Sequence, residues 1–302
     1  MTAPTTAPEP GATTAVTPEL ELAAERAESR RGFFVSLPAY VYLVLFFVIP
    51  LILVFVYSFA TRDSTGLTVL EDWNLESYKR LFTPVVAEIF LRSFTLALVT
   101  TAICLAMSYP LAYYIATRAP RSRNILLVLV MIPFWSNFLV RTYAWRVLLG
   151  SDGPISQIST ALGGEPIRLL FTNVAVLIGL VYGFMPFMVL PLYAALERMD
   201  WRLVEAARDL YADGWTAFRK VTLPLSMPGV VAGSILVFIP SLGAYVTPAL
   251  LGGANTVLMG DYIVNQFLAA RNWPFGSALS FAVMFVMLLA TIFYFRAGAK
   301  TL

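Results

Sequence analysis

Leu203–Pro228 reads LVEAARDLYADGWTAFRKVTLPLSMP, a polar passage inside an otherwise very hydrophobic chain. It keeps helical periodicity. Leu203, Ala206, Ala207 and Leu210 fall at the i, i+3, i+4, i+7 spacing of one helix face. Arg202, Glu205, Arg208 and Asp209 lie largely on the other side, with Glu205 three residues from each arginine and so able to pair with both. Ala212-Asp213-Gly214 supplies turn residues. Trp215, Phe218 and Val221 then begin a second short face, which Pro224 is expected to stop. The spacing predicts a helix-turn-helix outside the bilayer with an apolar side and a basic rim. Two readings stand level on these grounds: an amphipathic loop resting on lipid headgroups, or a docking element for a soluble partner.

Composition makes the rest of the chain a membrane protein. Of 302 residues, 59% are hydrophobic and 13% charged, and the mean hydropathy is +0.75. Soluble domains carry roughly twice that charged fraction. A net charge of +3, spread along the chain, does not point to nucleic acid. With no histidine and one cysteine, His-dependent triads, thiolate–imidazole pairs and the usual zinc sites are excluded. Cys104 lies in an apolar run and reads as a packed small residue. No glycine is followed by lysine, so there is no Walker A loop to hold ATP phosphates. Any ATP, and its Mg ion, belongs to another chain.

Residues 1–31 are rich in Ala, Thr, Pro and Glu, lack aromatics and read as a disordered cytoplasmic tail. Ser29-Arg30-Arg31-Gly32-Phe33 superficially resembles a twin-arginine export signal. The apolar run after it is too long for a cleavable signal, so it reads as the positive flank of a membrane helix. Residues 32–302 then form one transmembrane domain, with the polar loop at about 198–228. Six apolar stretches, near 36–60, 94–117, 125–148, 174–196, 229–251 and 278–295, each approach the ~20 residues that a bilayer core needs. Prolines such as Pro110, Pro133, Pro186, Pro191 and Pro240 within them suggest bent helices around a path. With the N-terminus in the cytoplasm, thirteen Lys/Arg fall on inner segments and eight on outer ones. Both termini are therefore expected inside, which puts the Glu205 loop on the side where ATP is. The first outer loop has room for a short interfacial helix at Leu75–Phe82, with Tyr78, Leu81 and Phe82 toward lipid.

Resemblance separates the two readings of the loop. Glu205-Ala206-Ala207, three residues, one position, then nine residues and Val221-x-Leu223-Pro224 resemble the coupling loop of ABC-importer permeases. The resemblance implies that the first helix seats in a groove of an ATP-hydrolysing partner. Ala206 and Ala207 would allow close approach, Glu205 would fix orientation, and Leu210, Leu223 and Pro224 would complete the motif. Tyr211 stands where the family usually has glycine, and Gly214 is expected to take over the turn. Further motifs are similar to permeases of spermidine/putrescine-type importers: Tyr109-Pro110-Leu111-Ala112-Tyr113, Pro133-Phe134-Trp135, Phe138 to Trp145, Phe238 to Gly243 and Thr247 to Gly253. Together they cover the chain from about residue 33 to its end. The implied fold is the six-helix, all-α type I importer permease in the inner membrane. The implied partners are a second homologous permease chain, two ATP-binding subunits and an extracytoplasmic substrate-binding protein, with no cofactor in this chain.

Charge is nearly absent from the apolar stretches, which argues against an ion-coupled carrier. The densest aromatic stretch runs from Pro133 to Trp145. Read as one straight helix entering at Ile125, it places Arg141 about 24 Å along, near the outer interface. Tyr143 and Trp145 read either as interfacial belt residues or as path-lining ones. A polyamine is a flexible polycation that should use aromatic faces and a carboxylate. Trp135, Tyr182 and Tyr245 are the candidate faces. Relatives often have an acid where this chain has Ala244, and Asp261 is the acid available to compensate. The alternatives are a permease of the same class for another small solute, such as an amino acid or quaternary amine, or a self-sufficient secondary carrier. No acid/base pair, nucleophile constellation or metal cluster supports an enzyme.

Overall fold

The computed structural model describes residues 36–63, 68–70 and 73–299, so the tail expected at 1–31 lies outside the described residues. Two units are distinguished, one ending at Val56 and the other running from Tyr57 onward. The first contains nearly all of α1 (Ser36–Tyr57), an uninterrupted apolar helix whose most hydrophobic window buries no residue. A helix apolar on every side is suited to lipid or to other membrane helices rather than to water.

The second unit opens on a small hairpin, β1 (Thr61–Arg62) antiparallel to β2 (Thr68–Val69), then α2 (Glu76–Arg80). A helix is thus present within the expected Leu75–Phe82 stretch, but only over Glu76–Arg80. Its Tyr78 turns inward: the hydroxyl hydrogen-bonds Ser58 Oγ at 2.8 Å and the ring lies 5.2 Å from Phe59. A lipid-facing role for Tyr78 is therefore wrong, because a phenol finds a better partner in a buried serine than in the headgroups.

The spans follow as α3 (Pro84–Ala116), α4 (Pro120–Trp135), α5 (Phe138–Leu148), α7 (Asn173–Glu197), α9 (Gly214–Leu242) and α11 (Trp273–Ala299). Between them lie α6 (Pro154–Ala161), α8 (Arg202–Asp209) and α10 (Met259–Leu268). Counting the bent pair α4/α5 as one span makes six candidate membrane spans among the described residues. The second begins ten residues earlier than its apolar stretch, since Pro84 opens it and the Glu88–Arg92 ion pair (2.8 Å) supports its polar first turns. The fifth stops at Leu242, before Gly243; the predicted remainder is a separate π-turn, Pro248–Gly252.

The larger correction concerns the third span. It is two helices bent by 85° at Ser136-Asn137, not one rod. Asn137 caps α5, accepting the amide of Leu139 at 2.8 Å. Arg141 consequently sits in the first turns of a second helix, not 24 Å along a straight one.

α7 packs along both α3 and α9, and these three helices hold the core. Tyr109, Ala112 and Ile115 meet Met188, Leu192, Leu196, Val230 and Val237. Close approach needs Gly229 and Gly233, one turn apart on α9 in a Gly-x-x-x-Gly spacing. A Cβ on Gly229 would lie 2.6 Å from Ala195 Cβ, and one on Gly233 2.7 Å from Met188 Sδ. A second cluster joins Ala97 and Leu242 to Met259, Phe275 and Leu279, with Ser93 Oγ accepting the Met259 amide at 2.7 Å.

Candidate coupling module and substrate path

α8 is eight residues long and too short to persist alone. It is held by folding back on the start of α9: Val204, Met199 and Ala217 are buried together, with Trp201, Ala207, Ala212 and Val221 packed around them. This reverses part of the predicted face. Of the stripe Leu203, Ala206, Ala207 and Leu210, only Ala207 turns inward; Leu203, Ala206 and Leu210 are exposed. Val204 takes the inward position because the nearest apolar surface is the chain's own second helix rather than the bilayer. Among the described residues Glu205 forms neither of its possible ion pairs, and its side chain is exposed.

The end of α8 is a Schellman motif. The amide of Tyr211 donates to Arg208 O at 2.9 Å, and that of Ala212 to Ala207 O at 3.1 Å. Such a closure needs a left-handed residue, and that residue is Tyr211, with φ of 63°. The expectation that Gly214 takes over the turn is therefore wrong. Gly214 is the first residue of α9, behind Asp213, whose carboxylate accepts the Thr216 amide at 3.3 Å. The Thr216 side chain and nearby amides hold the Asp213 carboxyl below the usual carboxylate range. Pro224 also does not stop the second face. A π-turn at Phe218–Thr222 widens the helix just before it, which accommodates the missing donor and ring of proline, and the rod continues to Leu242.

Rigid contacts tie the module to the membrane core. Trp201 lies edge-on to Tyr113 of α3 at 5.6 Å, and Phe218 edge-on to Tyr109 at 5.4 Å. The Tyr109 hydroxyl hydrogen-bonds Ser226 Oγ at 2.6 Å. Arg123 of α4 pairs with Glu197, at the end of α7, at 2.9 Å. None of these partners is recognisable from sequence, because each joins residues far apart in the chain.

The proposed path residues are only partly brought together. Tyr182 meets Trp145 edge-on at 5.4 Å and lines a recess with Phe138, Arg141, Thr142, Gly179 and Gly183. That recess holds about 10 Å³, room for at most one water, so it is closed here. Arg141 lies over Phe134 and Phe138, 5.3 and 5.9 Å from the ring centres. Trp135, Tyr143 and Tyr245 are exposed. Asp261 stands in the first turn of α10, and its neighbour Gly260 abuts the carbonyls of Gly243 and Ala244 so closely that a Cβ would collide with them. Burial pushes the Asp261 carboxyl up from its ordinary value.

The family described as the binding-protein-dependent transport system inner membrane component matches residues 108–299. The chain belongs to this family. The permease is 43% identical over 259 residues to the spermidine/putrescine transport system permease protein PotB of Haemophilus influenzae, covering 85% of this chain and 90% of that one. It is 41% identical to PotB of Escherichia coli over 85% of this chain and 94% of that one. A bacterial ABC transporter that imports the acidic polysaccharide alginate shares the fold, with a TM-score of 0.72 at 15% identity over 93% of this permease and 99% of that chain. Like other members, the permease is a multi-pass inner-membrane subunit of an importer with ATPase subunits and a periplasmic binding protein. It is not itself an ATPase and carries no cofactor.

Proposed function

We propose that this permease forms half of the translocation path for a polyamine, beside a second homologous permease chain, two ATP-binding subunits and a polyamine-binding periplasmic protein. The observation that carries the substrate reading is the similarity to spermidine/putrescine permeases over 85% of the chain. Aromatic faces at Trp135, Tyr143, Tyr182 and Tyr245 suit an organic cation. Asp261 sits on a helix packed against the Gly243-Ala244 turn, where it can stand in for the acid that Ala244 replaces.

In this reading α8 is the coupling element. Ala206 and Leu210 form the outward face, Glu205 adds a free carboxylate, and Tyr211 closes the tip. Gly214 starts the rod that Leu223 and Pro224 continue without a break. That rod is 29 residues, about 43 Å, so a displacement at the module is carried through the bilayer thickness. ATP binding moves the partner's groove, and α8 with α9 follows as one body, changing which side of the membrane the path faces. Driving such a switch from 1:99 to 99:1 takes about 5.5 kcal/mol of differential binding, within reach of ATP.

The test is uptake of labelled spermidine by proteoliposomes holding the complete transporter, with ATP inside and the binding protein outside. Saturable ATP-dependent uptake supports the reading. A binding protein that ignores polyamines but holds an amino acid or quaternary amine overturns the substrate and leaves the importer.

A further inference from the structure

Tyr211 combines two properties that oppose one another in a permease considered alone. Its backbone is left-handed, a conformation that costs a side-chain-bearing residue about five- to thirtyfold in equilibrium and costs glycine nothing. Its ring recovers none of that cost within this chain, because the residue is 99% exposed. The left-handed turn is dictated by the end of α8, where the Tyr211 and Ala212 amides close on Arg208 and Ala207. Glycine would satisfy the same closure. Two neighbours in the chain are also open to solvent: Leu210, 82% exposed, and Trp215, 67% exposed and stacked on Phe218 at 5.5 Å. Three large side chains within residues 210–215, where the module turns from α8 into α9, are thus exposed.

Lipid is poorly placed to cover them. Arg219 and Lys220 on α9 mark the cytoplasmic headgroup level. Gly214 is already about 8 Å further out along the same helix, and Tyr211 precedes it across a turn. A soluble protein surface is the occupant that reaches this tip, and the cytoplasmic protein with which a permease of this family works is its ATPase subunit. Exposed strain held at one residue is a feature of binding and switch regions, and tyrosine and tryptophan are the residues that dominate interface energetics.

We propose that Tyr211 is an aromatic anchor for the ATP-hydrolysing subunit, inserting with Leu210 and Trp215 into an apolar pocket beside the groove that receives α8. This rests on the reading of α8 as the coupling element. The permease gives up stability at this residue, and the ring restores it as partner affinity. Because a glycine at this position would dock the helix without the ring, the anchor also discriminates between ATPase subunits with and without a matching pocket.

The experiment measures two quantities on the complete transporter and on its permease part: melting temperature of the permease, and affinity for the ATPase subunit. Tyr211→Gly and Tyr211→Asn, both at ease in the left-handed conformation, should raise the melting temperature by about 2–4 °C. Both should weaken ATPase association tenfold or more. Tyr211→Phe keeps the ring and should stay within about twofold of wild type on both counts. Wild-type association by the Gly and Asn variants overturns the anchor, as does an equal loss by Tyr211→Phe. Glu205→Lys separates the two levels. If it weakens association while Tyr211→Gly does not, the anchor alone fails; if neither matters, the coupling reading fails as well.

Discussion

Ala206 and Ala207 are neighbours with opposite environments, and exchanging each for tryptophan separates docking from folding. Ala207 faces inward, packed with Val204, Met199 and Ala217, and its carbonyl closes the Schellman motif. An indole there has no space, and overpacking of this kind costs about 1–3 kcal/mol. Ala207→Trp should therefore lower the melting temperature of the permease and loosen α8 before any partner is added. Ala206 is exposed on the outward face, where a substitution changes stability by no more than about 0.5 kcal/mol. On a docked surface the same indole holds the helix away from its groove. A loss of about 2 kcal/mol, the level of an interface hot spot, corresponds to roughly thirtyfold weaker association. The assay is thermal unfolding of the detergent-solubilised permease beside titration of the ATPase subunit. Full-strength association by Ala206→Trp, or equal melting temperatures for the two variants, would refute the assignment of faces.

Two further predictions address the link between module and path. Exchanging the pair as Arg123→Glu with Glu197→Arg should restore most of the transport lost in either single variant, while insertion stays normal in all three; the pair's partly exposed setting limits each single loss of stability to about 1 kcal/mol. A swap no better than the singles would make the pair incidental. At Asp261 the raised pKa means that the unfolded carboxyl ionises first as pH rises, so burial costs stability at neutral pH and nothing below the ordinary carboxylate range. Asp261→Asn should then raise the melting temperature at pH 7, lose that gain on acidification, and still lower cation uptake. Uptake and expression falling in equal proportion would assign Asp261 a structural role instead.

Most of the spans, and the presence of a break inside the polar loop, were legible because they rest on local signals: apolar length, periodicity and turn residues; the break itself lies at residues 210–213, ahead of the turn read at Ala212-Asp213-Gly214. The faces of α8 were not. An eight-residue amphipathic helix has two weakly apolar sides, and the chain's own second helix claimed the one bearing Val204. The 85° break in the third span was hidden by the overall apolar length from Ile125 to Leu148, although Ser136-Asn137 after Pro133 is a capping signal that could have marked it. Pro224 misled for a related reason: proline ends helices unless the preceding turn widens, and Phe218–Thr222 widens. For the path, aromatic residues could be named but not assembled. Tyr182 and Trp145 meet only because α5 turns across α7, a consequence of the break.

The coupling account is tested most directly by the exposure of Leu210. In a Cys104→Ala background, Leu210→Cys is labelled with a membrane-impermeant maleimide in right-side-out and inverted vesicles, with and without the assembled ATPase subunits. Labelling in inverted vesicles only, suppressed when the ATPase is bound, is the predicted result. Labelling from the outer face, or modification unaffected by the bound ATPase, would contradict it.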